Sequence, residues 1–213
     1  MSDLRIVVKD TDLDAGAEGT FMAWTGSKRG EAFIIDFYDR MMSQGRCFQV
    51  RAGTITTPIA GDVVITNSAA EMATSANLGT TFIPINTNIA MRLNPATLME
   101  SAGKSIGTIH TIGTAFVALP LKTGGSAAAN TFSTCATAGG VAVAAELATN
   151  TRRHWSWSQP IIAGAYQTTY DWSPRMPPLL TGPACYYVQI AATTTAPDYY
   201  ASYDFIEMPS SLI

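Results

Sequence analysis

The stretch Thr80 to Leu93, TTFIPINTNIAMRL, decides the fold. Thr and Ile are its commonest residues, with Phe82 beside them, and branched or aromatic side chains fit a pleated, half-buried surface. Only Pro84 interrupts the run, because proline removes a ladder donor. Outward in both directions the same signal returns. Leu4, Ile6 and Val8 alternate with Arg5, Val7 and Lys9, and Phe48 and Val50 alternate with Gln49 and Arg51. Gly61-Asp62 opens a Val63-Val64-Ile65 run. Ile106 to Leu121 (IGTIHTIGTAFVALPL) reads as one long β stretch, with Gly107 and Gly113 as bulges or points of close backbone approach. Near the end, Tyr186, Val188 and Ile190 alternate with Tyr187, Gln189 and Ala191, and Tyr199 to Met208 forms the last strand.

Two regions depart from this pattern. In Glu31 to Gln44, Phe33, Phe37 and Met41 recur at every fourth position, Glu31 sits near the start and Gly45 follows the end, so a short helix is expected there. The alternative is a buried strand over Phe33 to Tyr38. Gly124 to Asn150 is Ala, Gly, Thr and Ser with few anchors, an extended loop or lightly packed strands, with a short helix or strand over Val141 to Leu147. Ser173 to Pro183 carries four prolines and a glycine and reads as an irregular connection. The expected fold is all-β: one jelly-roll-type antiparallel β-sandwich over residues 1–213, with long loops and one short helix. An immunoglobulin-like sandwich has the same strand pattern, but it needs only about 100 residues, and the 213 present favour the roll.

Hydrophobic residues make up 47% of the chain and charged ones 14%, against about 25% charged in an ordinary soluble domain. A monomer uses charge to stay dispersed, so this surface is expected to meet other protein, chiefly copies of itself. A secreted β-domain with a Thr, Ser and Asn surface is the other reading of that composition. The net charge is −3 and the basic residues are scattered, with Lys28-Arg29 and Arg152-Arg153 the only adjacent pairs. Phosphate neutralisation needs clustered cations, so no direct nucleic-acid binding is expected. Cys47, Cys135 and Cys185 are widely spaced and odd in number, which points to buried free thiols and folding in a reducing cytoplasm. The N-terminus Met1-Ser2-Asp3-Leu4-Arg5 has no apolar signal core, and no apolar run reaches the roughly 20 residues of a membrane span.

Chemistry-bearing spacings fail one by one. His110 and His154 neighbour neither a cysteine nor a carboxylate at metal-ligand spacing, and structural roles are expected for both. Asp10, Asp12 and Asp14 have the alternation of a calcium loop, but Ala15 stands where that loop needs glycine and Phe21 where it needs glutamate. A solvated turn is the reading, with weak calcium binding between subunits as its rival. Gly103-Lys104-Ser105 ends like a phosphate loop, yet Leu98 replaces the leading glycine. No cofactor, metal or catalytic residue is expected, and the chain reads as non-enzymatic.

The aromatic group is the candidate site. Trp155 and Trp157 point to one face of a strand, and Tyr166, Tyr170 and Trp172 follow within a short distance. Three readings stand: sandwich core, an anchor between subunits, or a stacking platform for a host glycan.

The segment Arg175-Met176-Pro177-Pro178-Leu179-Leu180-Thr181-Gly182-Pro183-Ala184, the strand Tyr186 to Ile190, and the ending Asp204-Phe205-Ile206-Glu207-Met208-Pro209 carry a resemblance. So do Gly53 to Ile59 (GTITTPI) and Ile83-Pro84-Ile85. Together they resemble single jelly-roll capsid or capsid-associated virion proteins of uncultivated, tailless bacterial viruses. That resemblance implies a virion structural protein, folded in the host cytoplasm, whose partners are its own copies and other virion proteins. It implies a homo-oligomer (trimer, pentamer or hexamer) and no catalytic residues. The missing basic arm favours a shell lined by an internal membrane or a second protein. A glycan-binding β-sandwich of a receptor-binding spike is the alternative.

Overall fold

A computed structural model describes residues 37–65, 70–93, 98–111, 113–125, 133–159, 168–193 and 195–212. The helix α1 (Phe37–Ser43) comes first, then β1 (Cys47–Ala52), β2 (Ile59–Ala60), β3 (Ala70–Ala76), β4 (Thr80–Leu93) and β5 (Met99–Ile106). A long insertion follows, carrying β6 (Thr114–Phe116), β7 (Leu119–Pro120) and β8 (Ser133–Val141). The chain ends with β9 (Thr151–Gln159), β10 (Thr168–Trp172), β11 (Leu180–Thr181), β12 (Ala184–Ala192), β13 (Asp198–Pro209) and a final 3-10 turn.

The strands form two antiparallel sheets. One runs β10-β4-β13-β1-β7, with β11 on β4 and β2 on β13; the other runs β6-β8-β3-β12-β5-β9. With the short strands and β8 set aside, the eight remaining strands pair in nested order: first with eighth, second with seventh, third with sixth and fourth with fifth. A long hairpin rolled on itself gives this nesting, and it is the jelly roll. The expected fold is therefore present, with its one short helix.

Between the sheets lies a core built by inward positions. Phe82, Phe205, Met72, Val188 and Tyr203 are fully buried, and the Phe82 and Phe205 rings sit 4.7 Å apart. Burial of each such side chain stabilises by roughly 1.5–3 kcal/mol. Three tyrosines tie the sheets together across this core. Tyr186 of β12 bonds Thr87 Oγ1 of β4 at 3.1 Å, Tyr203 of β13 bonds Thr74 of β3, and the Tyr199 hydroxyl of β13 donates to Glu71 Oε2 of β3 at 3.0 Å. A tyrosine suits this role because its ring spans the apolar gap and its hydroxyl finds a polar group on the far sheet.

Both outer faces are also partly covered. Met41 of α1 packs with Ile83, Ile206 and Met208 over the seven-stranded sheet. Val141 and Val143 pack on Ala73, Cys185 and Tyr187 over the other. Strands covered on both faces lose the alternation that marks a half-buried strand.

Several expectations change. The helix is described over Phe37–Ser43 and closes at Gly45 with φ 71°, but Phe37 and Tyr38 are exposed, Met41 is its one fully buried residue and Met42 packs beside it half-buried. Ile106 to Leu121 is not one strand: Ile106 ends β5, and after a loop only β6 and β7 follow, because the chain there crosses to the far side of the sandwich. His110 accordingly lies in a loop rather than mid-strand. Val63 and Val64 are exposed bends, with a single bridge from Asp62 to Ala191. Of the two readings of Gly124 to Asn150, the strand one is met by the nine-residue β8, whereas of Val141 to Leu147 only Val141, the end of β8, is in a strand and 142–147 is neither helix nor strand. Pro84 leaves β4 continuous because it sits opposite Phe205, where the ladder with β13 shifts register. The Leu4 to Lys9 strand, the Asp10, Asp12 and Asp14 turn, Phe33 and Tyr166 lie outside the described residues.

Candidate functional site

The sixth strand of the roll, β10, and the fifth, β9, end their respective sheets on the same side of the sandwich, and the aromatic group closes the gap between them. Trp155 is buried at 6% exposure, whereas Trp157, Tyr170 and Trp172 are half-buried. Ring centroids lie 5.1 Å apart for Trp155 and Tyr170, 5.8 Å for Trp157 and Tyr170, and 6.4 Å for Trp155 and Trp172. Four of the five residues singled out from the sequence are thus brought together. Trp155 belongs to the core, and the other three form its outer wall.

Local backbone places Trp155. The ladder between β5 and β9 skips His154, so Gly103 faces Trp155 and Lys104 faces Arg153. This bulge turns His154 inward as well, where its Nε2 meets Ser105 Oγ at 2.8 Å. A methyl group on Gly103 would stand 2.0 Å from Trp155 Nε1 and 2.7 Å from the Tyr186 hydroxyl, so only glycine admits the indole here. The indole N–H then donates to the Tyr186 hydroxyl at 2.9 Å. Burial pushes the Tyr186 hydroxyl up to about 12, and its bonds to Thr87 and Trp155 only partly offset that.

Gly103-Lys104-Ser105 therefore has a structural task in all three residues. Gly103 receives the indole, Ser105 holds His154, and Lys104 reaches Glu146 Oε2 at 2.7 Å. Glu146 also accepts from the Tyr187 hydroxyl at 2.8 Å and from Gln189 Nε2 at 3.3 Å. These bonds pin the insertion to the outer face of the six-stranded sheet. A second latch holds it further along, where His110 Nδ1 and its backbone N–H both meet Ser75 Oγ, at 2.7 and 2.9 Å. Burial lowers the affinity of both histidines for a proton, and Arg152 adds to this at His154. Cys47 and Cys185 are buried free thiols, and burial raises Cys47 to about 11.

Sequence reading did not single out Glu71, a buried ionisable group. Glu71 is 6% exposed, and its Oε1 has no hydrogen-bond partner among the described residues. Burial first, and then the nearby charge of Asp62, push its carboxyl up to about 8, against the pull of the Tyr199 bond. The apolar setting Ala69-Ala70-Glu71-Met72 was the only available signal, and it says nothing of the Tyr199 partner. Among the described residues, no three His, Cys, Asp or Glu side chains group as metal ligands, and no helix is long and apolar enough to cross a membrane.

The outer side of β9 borders a shallow hollow of about 310 Å³, lined by Ile65, Glu100, Lys104, Arg153, Ser156 and Ser158 among others. Comparison with protein-family models, curated proteins and solved structures finds no match to this chain.

Proposed function

We propose that this chain is a virion structural protein, a jelly-roll capsid subunit that assembles with its own copies into capsomers or a shell. The observation that carries the reading is the nested eight-strand roll made by a chain with only 14% charged residues. A shell subunit needs a rigid sandwich and a surface that prefers protein neighbours, and low charge supplies the second. The tyrosine ties and the sealed aromatic side supply the first. The Pro-rich turn and the closing strands add the resemblance to tailless bacterial virus proteins. Negative-stain imaging of the expressed protein tests the proposal: rings, capsomers or shells support it, and uniformly small isolated particles at high concentration count against it.

The hollow beside β9 favours a second reading, a glycan-binding sandwich on a spike. Trp157 borders it, and Arg153, Ser156 and Ser158 offer donors to sugar hydroxyls. Glycan binding that disappears in Trp157→Ala while assembly persists would select this reading.

A further inference from the structure

The two lateral sides of the sandwich are finished differently. On one, the insertion adds β8 and then β6 beyond β3, and β7 beyond β1; β6 and β7 have only three and two residues, the latter containing Pro120, and cover Cys135 to Thr137 of β8 and Phe48 and Gln49 of β1, so the edges here are stepped and broken into short pieces. Edges this short offer little template for another chain. On the other, the six-stranded sheet ends on the nine-residue β9, whose outer edge pairs with no strand among the described residues.

Charge along that edge is unbalanced in a particular way. Counted along β5, Ser156 faces Ala102, Ser158 faces Glu100 and Arg153 faces Lys104. Because the bulge absorbs His154, Arg153 and Ser158 stand equally far on either side of Ser156, and all three point to the outer face. Lys104 is already engaged by Glu146, while Arg153 and Glu100 are both exposed and have no ion pair among the described residues. Among the described residues, the sheet edge therefore carries an unpaired cation at one end and an unpaired anion at the other.

A two-fold axis perpendicular to the sheet at Ser156 complements this pattern. It sets β9 antiparallel to its own copy, keeps both outer faces on the same side, and puts Arg153 opposite Ser158 of the second copy. Glu100 of that copy lies one strand behind. Two strand spacings of about 4.8 Å separate the rows, a gap that extended Arg and Glu side chains close. The contact is made twice by symmetry.

We propose that β9 is the homotypic interface of this protein, pairing antiparallel with β9 of a second copy about an axis at Ser156 and matching Arg153 to Glu100 across it. The proposal rests on the self-assembly reading and names the surface that serves it. Backbone bonds along the edge supply affinity, and the paired charges set register.

Two measurements test it together. Ser156→Cys, oxidised with diamide, should give a reducible dimer in high yield, since opposed Cα atoms on paired strands fall within disulfide range. Thr114→Cys on β6 is the control and should remain monomeric on a denaturing gel. In sedimentation equilibrium, Arg153→Glu and Glu100→Arg should each lower the dimerisation constant about tenfold or more, and the double variant should restore it. Both positions are exposed, so folding is preserved and circular dichroism verifies it. Equal crosslinking at both cysteines, or association unaffected by the single charge changes, overturns the β9 interface. Wild-type oligomers that persist through those failures leave self-assembly standing; a wild-type monomer removes both.

Discussion

Replacing Glu71 with glutamine should remove most of the pH dependence of stability between about pH 5 and pH 8. The Glu71 carboxyl is buried against Tyr199 and near Asp62, and it holds its proton up to about pH 8, whereas in the unfolded chain it ionises near 4.5. Below 4.5 both states are protonated and the group costs nothing. As pH rises above that, the unfolded chain releases its proton and the folded chain does not, so stability falls until the folded carboxyl also ionises near pH 8. At 1.36 kcal/mol per pH unit, the gap amounts to on the order of 5 kcal/mol. With a urea dependence of about 2 kcal/mol per molar, the wild-type midpoint should drop by about 2 M between pH 5 and pH 8. Glutamine keeps a carbonyl to accept the Tyr199 hydroxyl and cannot ionise, so the variant should lose this fall and keep only the smaller pH dependence of the other shifted groups. His110, His154, Asp62 and Asp204 titrate in both proteins, and the difference between the two curves isolates Glu71. Urea titrations at low protein concentration, at each pH unit across this range, provide the measurement. Parallel wild-type and variant curves would refute the buried, protonated carboxyl.

Three further outcomes follow from the same contacts. Gly103→Ala forces a methyl group to 2.0 Å from the Trp155 indole, and thermal melting should show a loss of about 3 kcal/mol with altered tryptophan emission; an unchanged melting temperature contradicts the close approach. Tyr186→Phe leaves the Trp155 N–H and the Thr87 hydroxyl without their shared partner, and denaturant unfolding should report a loss of about 1–3 kcal/mol. Glu146→Ala releases Lys104, Tyr187 and Gln189 together, and limited proteolysis should cut residues 142–150 several-fold faster, with unchanged cleavage speaking against the latch.

Strands rich in branched and aromatic side chains were legible: β1, β4, β12 and β13 all fall where Phe48, the Thr80 to Leu93 run, Tyr186 and Tyr199 put them, although every residue of β12 is buried. The strands that were not legible, β3 and β5, are rich in Ala and Ser and mix in Met and Glu, and β3 and much of β5 are buried on both faces, so neither a run of branched side chains nor alternation marks them; β8, of Ala, Gly, Ser and Thr, was open only as one of two readings of its region. Ile106 to Leu121 misled in the opposite sense. Its apolar residues serve a crossing that supplies β6 and β7 to opposite sheets, and periodicity does not record a change of sheet. For the aromatic side, one strand's alternation was enough to put Trp155 and Trp157 on one face. That Trp155 belongs to the core depended on Gly103 and Tyr186, which lie 52 positions before it and 31 after it in the chain. Glu71 and Tyr199, 128 residues apart, become neighbours only when the roll closes.

Self-association is the claim on which the functional reading stands, and light scattering coupled to size-exclusion chromatography measures it directly. Assembly predicts a molar mass at least twice 22.6 kDa, rising with concentration and falling when Arg153 is reversed in charge. A single species of 22.6 kDa that stays constant up to high concentration would contradict it.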